Sequence, residues 1–454
     1  MEQQKVLKTT SAAPMAFTEG VIWKQMLAFL VPIMLGAFVQ QMYNTVDSMI
    51  VGRFLGLEAL AAVGGSTSTL TTLLINFFAG LSSGASVVIA QDFGGGDRTR
   101  LTRSVQTAML LGLFGGLVLM AGGLLLCGQV LAWMEVKDSV MPLALRYLEI
   151  YLWGMIPTAV YNMGAAALNA LGRSRSSFTF LAVACVVNIL LDLLMVGVLD
   201  LGIGGAAGAT CIAQLLSALL IAAALHRQGM LEVKTWRLDV RTLGRIVRIG
   251  MPGGLQSVLY SISNMVVQAA INQFSVSYVA ACTVYERLEG LFWTLMTALG
   301  VAITTFAGQN YGAGKNDRLR GSVRAAMAIG MAMAVGISAI YMVFSKPLVL
   351  LFTDSAEALE NTRELIWLLM PFCFTYVATE VLGGAIKGCG EAVRPMVITL
   401  LCICGVRVAW VLVFRQAPVM DIRLILACYP VSWSLSSLVF LIYYKKGHWL
   451  RPVS

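Results

Sequence analysis

The stretch Pro32–Gly56, PIMLGAFVQQMYNTVDSMIVGRFLG, places one carboxylate, Asp47, inside an otherwise apolar segment. At helical spacing Gln40, Tyr43, Asn44 and Asp47 fall at i, i+3, i+4 and i+7, so four polar groups share one face. Ile33, Met34, Val46 and Ile50 help cover the remainder. An acid at bilayer depth is costly, so it faces a cavity and serves transport, proton relay or ion binding.

The rest of the chain supplies the bilayer. Its 454 residues are 58% hydrophobic with a mean hydropathy of +0.80, and 12% are charged, where a soluble protein carries about 25%. A helical span needs about 20 mostly apolar residues, and twelve such segments are expected, near 25–52, 58–91, 101–127, 140–168, 175–198, 203–226, 241–272, 277–309, 319–344, 360–388, 393–414 and 422–445. A β-barrel would show short alternating segments instead of these continuous apolar runs. The fold expected is an all-α integral membrane protein, twelve transmembrane helices in two six-helix bundles related as parallel repeats.

The net charge of +9 follows the loops. Twenty-three Lys and Arg fall on one side of the twelve spans and seven on the other, with Arg287 and Arg407 inside spans. The positive-inside rule then places both termini in the cytoplasm. Basic loops against lipid head groups account for the excess charge, so no nucleic-acid partner is expected. All nine cysteines lie within or at the ends of spans and read as small apolar packing residues. The two histidines, His226 and His448, sit in cytoplasmic segments, which leaves carboxylates to carry any ion coupling. Residues 1–20 are polar and lack the apolar core of a cleavable signal, so the first helix is expected to direct insertion.

The two halves repeat. Pro32 answers Pro252, Ala61-Ala62 answers Ala280-Ala281, Gln91-Asp-Phe-Gly94 answers Gln309-Asn-Tyr-Gly312, Pro157 answers Pro371, and Gly172 answers Gly390, always 214 to 220 positions apart. Six spans per half is an even number, so the repeats share one orientation, as in transporters that alternate access by rocking one half against the other. The organisation expected is a cytoplasmic tail (1–20), a first lobe (21–226), a cytoplasmic linker (227–240), a second lobe (241–445) and a cytoplasmic tail (446–454). Pro157 and Pro371 should bend their helices. Gly94-Gly-Gly-Asp97 lacks the Lys-Ser/Thr ending of a phosphate loop, and no nucleotide fingerprint is present. No nucleophile is paired with a base, so an enzyme is not expected.

The fifth span adds Asn188 and Asp192 at i, i+4, and Asp47 and Asp192 lie at similar distances from the outer ends of their helices. Two acids at one level can share a proton or hold Na+ at Asp47, Asn188 and Asp192, with Asn188, Asn44 and Thr210 as neutral oxygen ligands. No other metal and no cofactor is expected. The second half keeps a polar stripe, Gln256, Tyr260, Asn264 and Gln268, without an acid. Its eighth span carries Glu286, and counting from the outer ends predicts an ion pair of Glu286 with Arg407, structural rather than substrate-binding. Glu380 stands alone in the tenth span, a candidate for meeting a cationic substrate. Gln40, Tyr43, Gln256, Tyr260, Asn264 and Glu380 are therefore the candidate substrate-cavity residues.

Gln40-Gln-Met-Tyr-Asn-Thr-Val-Asp47, with Val51-Gly52, Gly56 and Ala61-Ala62, resembles the opening of the multidrug and toxic compound extrusion (MATE) family. The resemblance extends through Gly84-Ala-Ser, Gln91 to Gly94, Gly205-Ala-Ala-Gly-Ala-Thr210, Gly250-Met-Pro252 and Gln309-Asn-Tyr-Gly-Ala-Gly314. It implies twelve helices in two bundles and export of organic, often cationic compounds against inward H+ or Na+ flow. In the DinF-like branch the coupling cluster matches Asp47, Asn188, Asp192 and Thr210. The other large branch places an acid in the seventh helix, which this chain lacks, so coupling is expected in the first lobe. The function expected is secondary antiport of organic compounds by a monomer in the bacterial inner membrane, in contact with lipids. The alternative is a flippase for a lipid-linked precursor on a related two-lobe fold, which would need a cationic central cavity that only Arg287 and Arg407 could supply.

Overall fold

The computed structural model describes residues 16–231, 236–353, 355–414, 421–447 and 449–450. His448, most of the N-terminal tail, part of the linker and the end of the C-terminal tail lie outside the described residues. Among the described residues the regular structure is helical, and no strand occurs.

The first half begins with α1, Ile22–Gly64. A straight helix of 43 residues would run roughly 65 Å at 1.5 Å per residue, about twice the hydrocarbon thickness. It is broken at Gly56, whose φ of 86° lies in the left-handed region that glycine enters without a Cβ clash. The helix resumes beyond the break, so the second span starts later than residue 58, with α2 at Ser66–Gly94. Pro32 lies inside α1 and brings no backbone N–H; one turn earlier the Phe29 carbonyl accepts a 3.0 Å bond from the Ser174 hydroxyl.

Helix α3 spans Arg98–Trp133 and is capped by Asp97, whose carboxylate accepts the N–H groups of Thr99 and Arg100 at 2.9 and 3.0 Å. The expected fourth span is two helices, α4 (Met141–Trp153) and α5 (Met155–Ala170), parted at Gly154. Pro157 sits in the first turn of α5, where a missing N–H breaks no intrahelical bond. Helix α6 (Ser174–Asp192) passes into a π turn at Leu193–Val198, and α7 (Gly202–Arg227) completes the half.

The second half comprises α8 (Val240–Ile271), α9 (Val276–Gly312), α10 (Asn316–Val343), the short α11 (Ser345–Leu350) and α12 (Ala356–Leu369). A 3-10 segment, Met370–Tyr376, follows at Pro371 and leads into α13 (Val377–Gly388). Then come α14 (Val393–Thr399), a π turn at Leu400–Gly405, α15 (Val406–Phe414), α16 (Ile422–Leu426) and α17 (Cys428–Lys446).

Ten helical stretches among the described residues are long and apolar enough to cross a membrane. The other two expected spans are α4–α5, interrupted at Gly154, and α8, whose first turns carry Arg241, Arg245 and Arg248. Large apolar side chains such as Leu57, Leu125, Met265 and Val276 are exposed, as a hydrocarbon solvent favours. All nine cysteines are free thiols, eight buried and Cys211 half-buried.

By contact the described residues divide into two units. One takes the chain to Leu74, Ala85–Ile246 and Gly308–Asn316; the other takes Ile75–Gly84, Val247–Ala307 and the chain from Asp317. In the first, α3 lies on α5, α1 on α6, and α7 contacts α4, α5 and α6, around a core that includes Val51, Leu131, Leu152 and Ala206. In the second, α17 contacts α13, α15 and the 3-10 segment.

The repeated Gln-x-x-Gly motifs meet inside the first unit. A Cβ on Gly94 would stand 2.0 Å from the Gln309 carbonyl oxygen, and one on Gly312 would stand 2.0 Å from that of Gln91. The two backbones approach as closely as glycine allows. Gly312→Ala should therefore force the helix ends apart at a cost of about 1–3 kcal/mol, read as a fall in Tm of the detergent-solubilised protein; an unchanged Tm would show that the contact yields without strain.

Candidate functional site

The polar face of α1 meets the π-turned end of α6 inside the first unit. Asp47 is 8% exposed, while Asn188 and Asp192 are fully buried and Thr210 nearly so. The Asp47 and Asp192 carboxyls face each other. Thr210 is the hub between helices: its hydroxyl accepts from Tyr43 Oη and Asn188 Nδ2, both at 3.5 Å, and donates to the Ala206 carbonyl at 3.2 Å. Asp47 Oδ1, Asn188 Oδ1 and both carboxyl oxygens of Asp192 are buried without a hydrogen-bond donor among the described residues.

Buried acceptors without donors are expensive, and ionised carboxylates only accept. Two facing carboxylates cannot satisfy one another unless a cation lies between them or one is protonated. These buried oxygens fit H+ or Na+ in chemistry. The π turn at Leu193–Val198 directly follows Asp192, a helix irregularity of the kind that recurs at functional sites.

The structure brings together Tyr43, Asp47, Asn188, Asp192 and Thr210. Asn44 is exposed on α1 and takes no part in these side-chain bonds. Gln40 is also exposed. Two residues escaped the sequence reading: Tyr147 and Tyr151 on α4, whose rings stack at 5.8 Å and whose hydroxyls feel the Asp47 charge. Their i, i+4 spacing is the only trace of this in the sequence.

The second unit holds the other polar residues. The expected Glu286–Arg407 ion pair does not form. Glu286 is exposed on α9, whereas Glu289, on a different face of the same helix, is buried. Depth placed Glu286 near Arg407, but the helical face admits Glu289. Arg407, 1% exposed, is held by neutral groups: Nη1 donates to Asn264 Oδ1 at 3.0 Å, Nη2 to Tyr260 Oη at 3.4 Å, and Nε to Ser432 Oγ at 3.3 Å. Its guanidinium also lies 5.1 Å from the Tyr260 ring centroid and 4.4 Å from that of Tyr429. Glu289 accepts from Tyr285 Oη at 3.3 Å.

Glu380, half-buried on α13, accepts from Tyr376 Oη at 3.2 Å and shares its field with Lys387 two turns on. Lys387 lies in the last turn of α13. Gln256 is half-buried on α8.

Helical throughout its described residues, with ten stretches long and apolar enough to cross a membrane and a pair of buried acids, the chain has the build of a membrane transporter. The MatE family matches residues 32–194 and 252–412, one match in each half, and the chain belongs to that family. As a member of that family it is a transporter, not an enzyme. The probable multidrug resistance protein YoeA of Bacillus subtilis (strain 168) is 29% identical over 434 residues, covering 93% of this chain and 94% of that protein. The probable multidrug resistance protein NorM of Thermotoga maritima is 23% identical, covering 86% of each. Among solved structures, an outward-facing multidrug resistance MATE family transporter superposes with a TM-score of 0.88 at 23% identity, over 97% of this chain and 99% of that one. A MATE in the bent conformation superposes at 0.90 and 22% identity, with the same coverage. These likenesses establish the twelve-helix, two-lobe fold.

Thr210→Val keeps the shape and removes the shared hydroxyl, leaving the Tyr43 and Asn188 donors unmet. It should lower stability by about 1–2 kcal/mol, measured as a Tm decrease in detergent, whereas an unchanged Tm would mean that these bonds contribute nothing.

Proposed function

We propose that this chain is a secondary antiporter that exports organic, cationic or amphipathic compounds in exchange for H+ or Na+ taken up at Asp47 and Asp192. The observation that carries the reading is the facing pair of buried carboxyls, of which Asp47 Oδ1 and both Asp192 oxygens lack donors among the described residues. Such a pair changes its net charge when it takes up a cation, and a change of charge in a low-dielectric site is a large enough bias to select between two arrangements of a lobe. Cation uptake from outside relaxes the pair and releases substrate; cation loss to the cytoplasm restores the repulsion and the substrate-accepting state.

In this reading the lobes at 21–226 and 241–445 rock about the linker at 227–240, with both termini in the cytoplasm of a bacterial inner membrane and the monomer as the working unit. Tyr43 links the ion site to the polar face of α1, through its bond to Thr210. Gln40 on that face, with Gln256, Tyr260, Asn264 and Glu380 in the second half, would supply polar contacts to substrate, and Glu380 would add a negative charge. The names of the relatives as multidrug resistance proteins favour organic substrates. The enclosure of Arg407 among Tyr260, Asn264, Ser432 and Tyr429 favours export over lipid-precursor flipping, because that guanidinium is committed to neutral protein groups.

The test is efflux of a fluorescent organic cation from proteoliposomes with a proton gradient and a sodium gradient imposed separately. Transport should follow one gradient and fall at least 10-fold in Asp47→Asn, a loss of about 1.4 kcal/mol or more in coupling. Gradient-driven efflux that persists in Asp47→Asn would remove this carboxyl from the mechanism.

A further inference from the structure

The polar cluster of the second unit is the repeat counterpart of the acid pair in the first. The step that relates the repeats carries Tyr43 to Tyr260 and Asp47 to Asn264, and a step within the same range carries Asp192 to Arg407. The local structure agrees. Leu193–Val198 and Leu400–Gly405 are both π turns; one directly follows Asp192, and the other ends two residues before Arg407. The counterparts also touch: Arg407 Nη1 bonds Asn264 Oδ1 at 3.0 Å, where Asp192 faces Asp47 in the first unit.

The two clusters differ in what fills them. In the first, two acids face each other with buried oxygens lacking donors. In the second, one acid position is an amide and the other is a guanidinium, whose donors reach Asn264, Tyr260 and Ser432 and whose faces meet two tyrosine rings. The titratable and charged groups facing Arg407 are Tyr260, Tyr429, Cys428, Cys404, Tyr376 and Glu289. Glu289 is their one acid, and it is engaged by Tyr285 and Trp293 rather than by the guanidinium. A guanidinium does not lose its proton at any pH a cell reaches.

We propose that Arg407 is a resident cation: its guanidinium fills, in the second half, the place that the exchangeable ion takes in the first, so that the second half stays permanently in its cation-loaded arrangement and binds no coupling ion. This rests on the reading of Asp47 and Asp192 as the ion site. It makes Arg407 a positioning residue and leaves one lobe to change charge during the cycle. The asymmetry follows from the chemistry of the substituents, since a tethered cation cannot be released to either side of the membrane.

The experiment uses the full-length protein in nanodiscs and measures Tm across Na+ titrations at constant ionic strength and across pH. In Asp47→Asn/Asp192→Asn, which lacks both acids of the first site, the saturable ion-dependent stabilisation of the unmodified protein should be lost, and adding Glu289→Gln should change nothing further. Adding Arg407→Asp to that background should restore a saturable rise of several degrees, because an empty acid site again has a cation to bind. Residual ion dependence in the double variant that Glu289→Gln removes would overturn the proposal, as would a folded Arg407→Asp protein with no ion response. If Arg407→Asp does not fold, the Glu289→Gln comparison alone decides. Failure of the underlying reading is distinguishable: ion-dependent stabilisation would then survive Asp47→Asn/Asp192→Asn whether or not Glu289 is replaced.

Discussion

Burial of two facing carboxyls is the constraint on which the first lobe depends. Asp47 and Asp192 approach each other from α1 and α6 in a setting that water barely reaches. Like charges facing each other in such a setting are costly to keep ionised together unless a cation or hydrogen-bond donors meet them, and Asp47 Oδ1 and both Asp192 oxygens meet no donor among the described residues. Around the pair, the Thr210 hydroxyl bonds Tyr43 and Asn188 and thereby ties α1, α6 and α7 to one another. A well-packed apolar site would be more stable. That this one keeps buried oxygens without donors among the described residues is the feature on which the proposed ion uptake rests.

The rest of the first lobe keeps those helices in register. α1 breaks at Gly56 beyond the acid, so the polar face ends with the span instead of running on as one long rod. The π turn after Asp192 changes the helical phase immediately beyond the acid, and the Cys211 thiol bonds the Ile150 carbonyl at 3.2 Å, linking α7 to the helix that carries Tyr147 and Tyr151. At the other end of α2, the Gln-x-x-Gly motif meets its repeat at glycine contact distance, and the neighbouring Asp92 and Gln91 are engaged by Arg245 at 3.4 and 3.0 Å.

Much of this was legible in the sequence because it is governed by periodicity. Apolar runs of about bilayer length give the spans, and helical spacing puts Tyr43 and Asp47 on one face and Asn188 and Asp192 on another. What escaped was set by where faces point after packing. Counting from the membrane surface places Glu286 at the depth of Arg407, but depth leaves the angle about the helix free, and that angle puts Glu289 inside and Glu286 outside. Tyr147 and Tyr151 lie in a span that reads as apolar filler, and only tertiary contact joins them to Asp47. The break at Gly154 carries little signal in the sequence, where Pro157, three residues on, is the more conspicuous helix breaker, although proline in a first helical turn costs little.

The two lobes show how one repeated framework tolerates opposite charges. A buried acid pair and a buried guanidinium are both expensive, but they are relieved by different means: the pair needs a visitor, and the guanidinium needs neutral oxygens and aromatic faces. The second lobe supplies both, three oxygens within 3.4 Å of the Arg407 nitrogens and two tyrosine rings over its plane. The T-shaped contacts of Trp293 with Tyr376 and Trp433 extend that wall of rings. Arg407 needs no opposite charge in direct contact, since the Tyr hydroxyl, the Asn amide and the Ser hydroxyl each accept one of its donors. Glu289 is correspondingly free to be satisfied by Tyr285 from its own helix. A charge held this way is fixed in place and in sign, whereas a pair of facing carboxyls can change its charge by taking up a cation or a proton; on the reading proposed above, that difference separates an ion-responsive repeat from an unresponsive one.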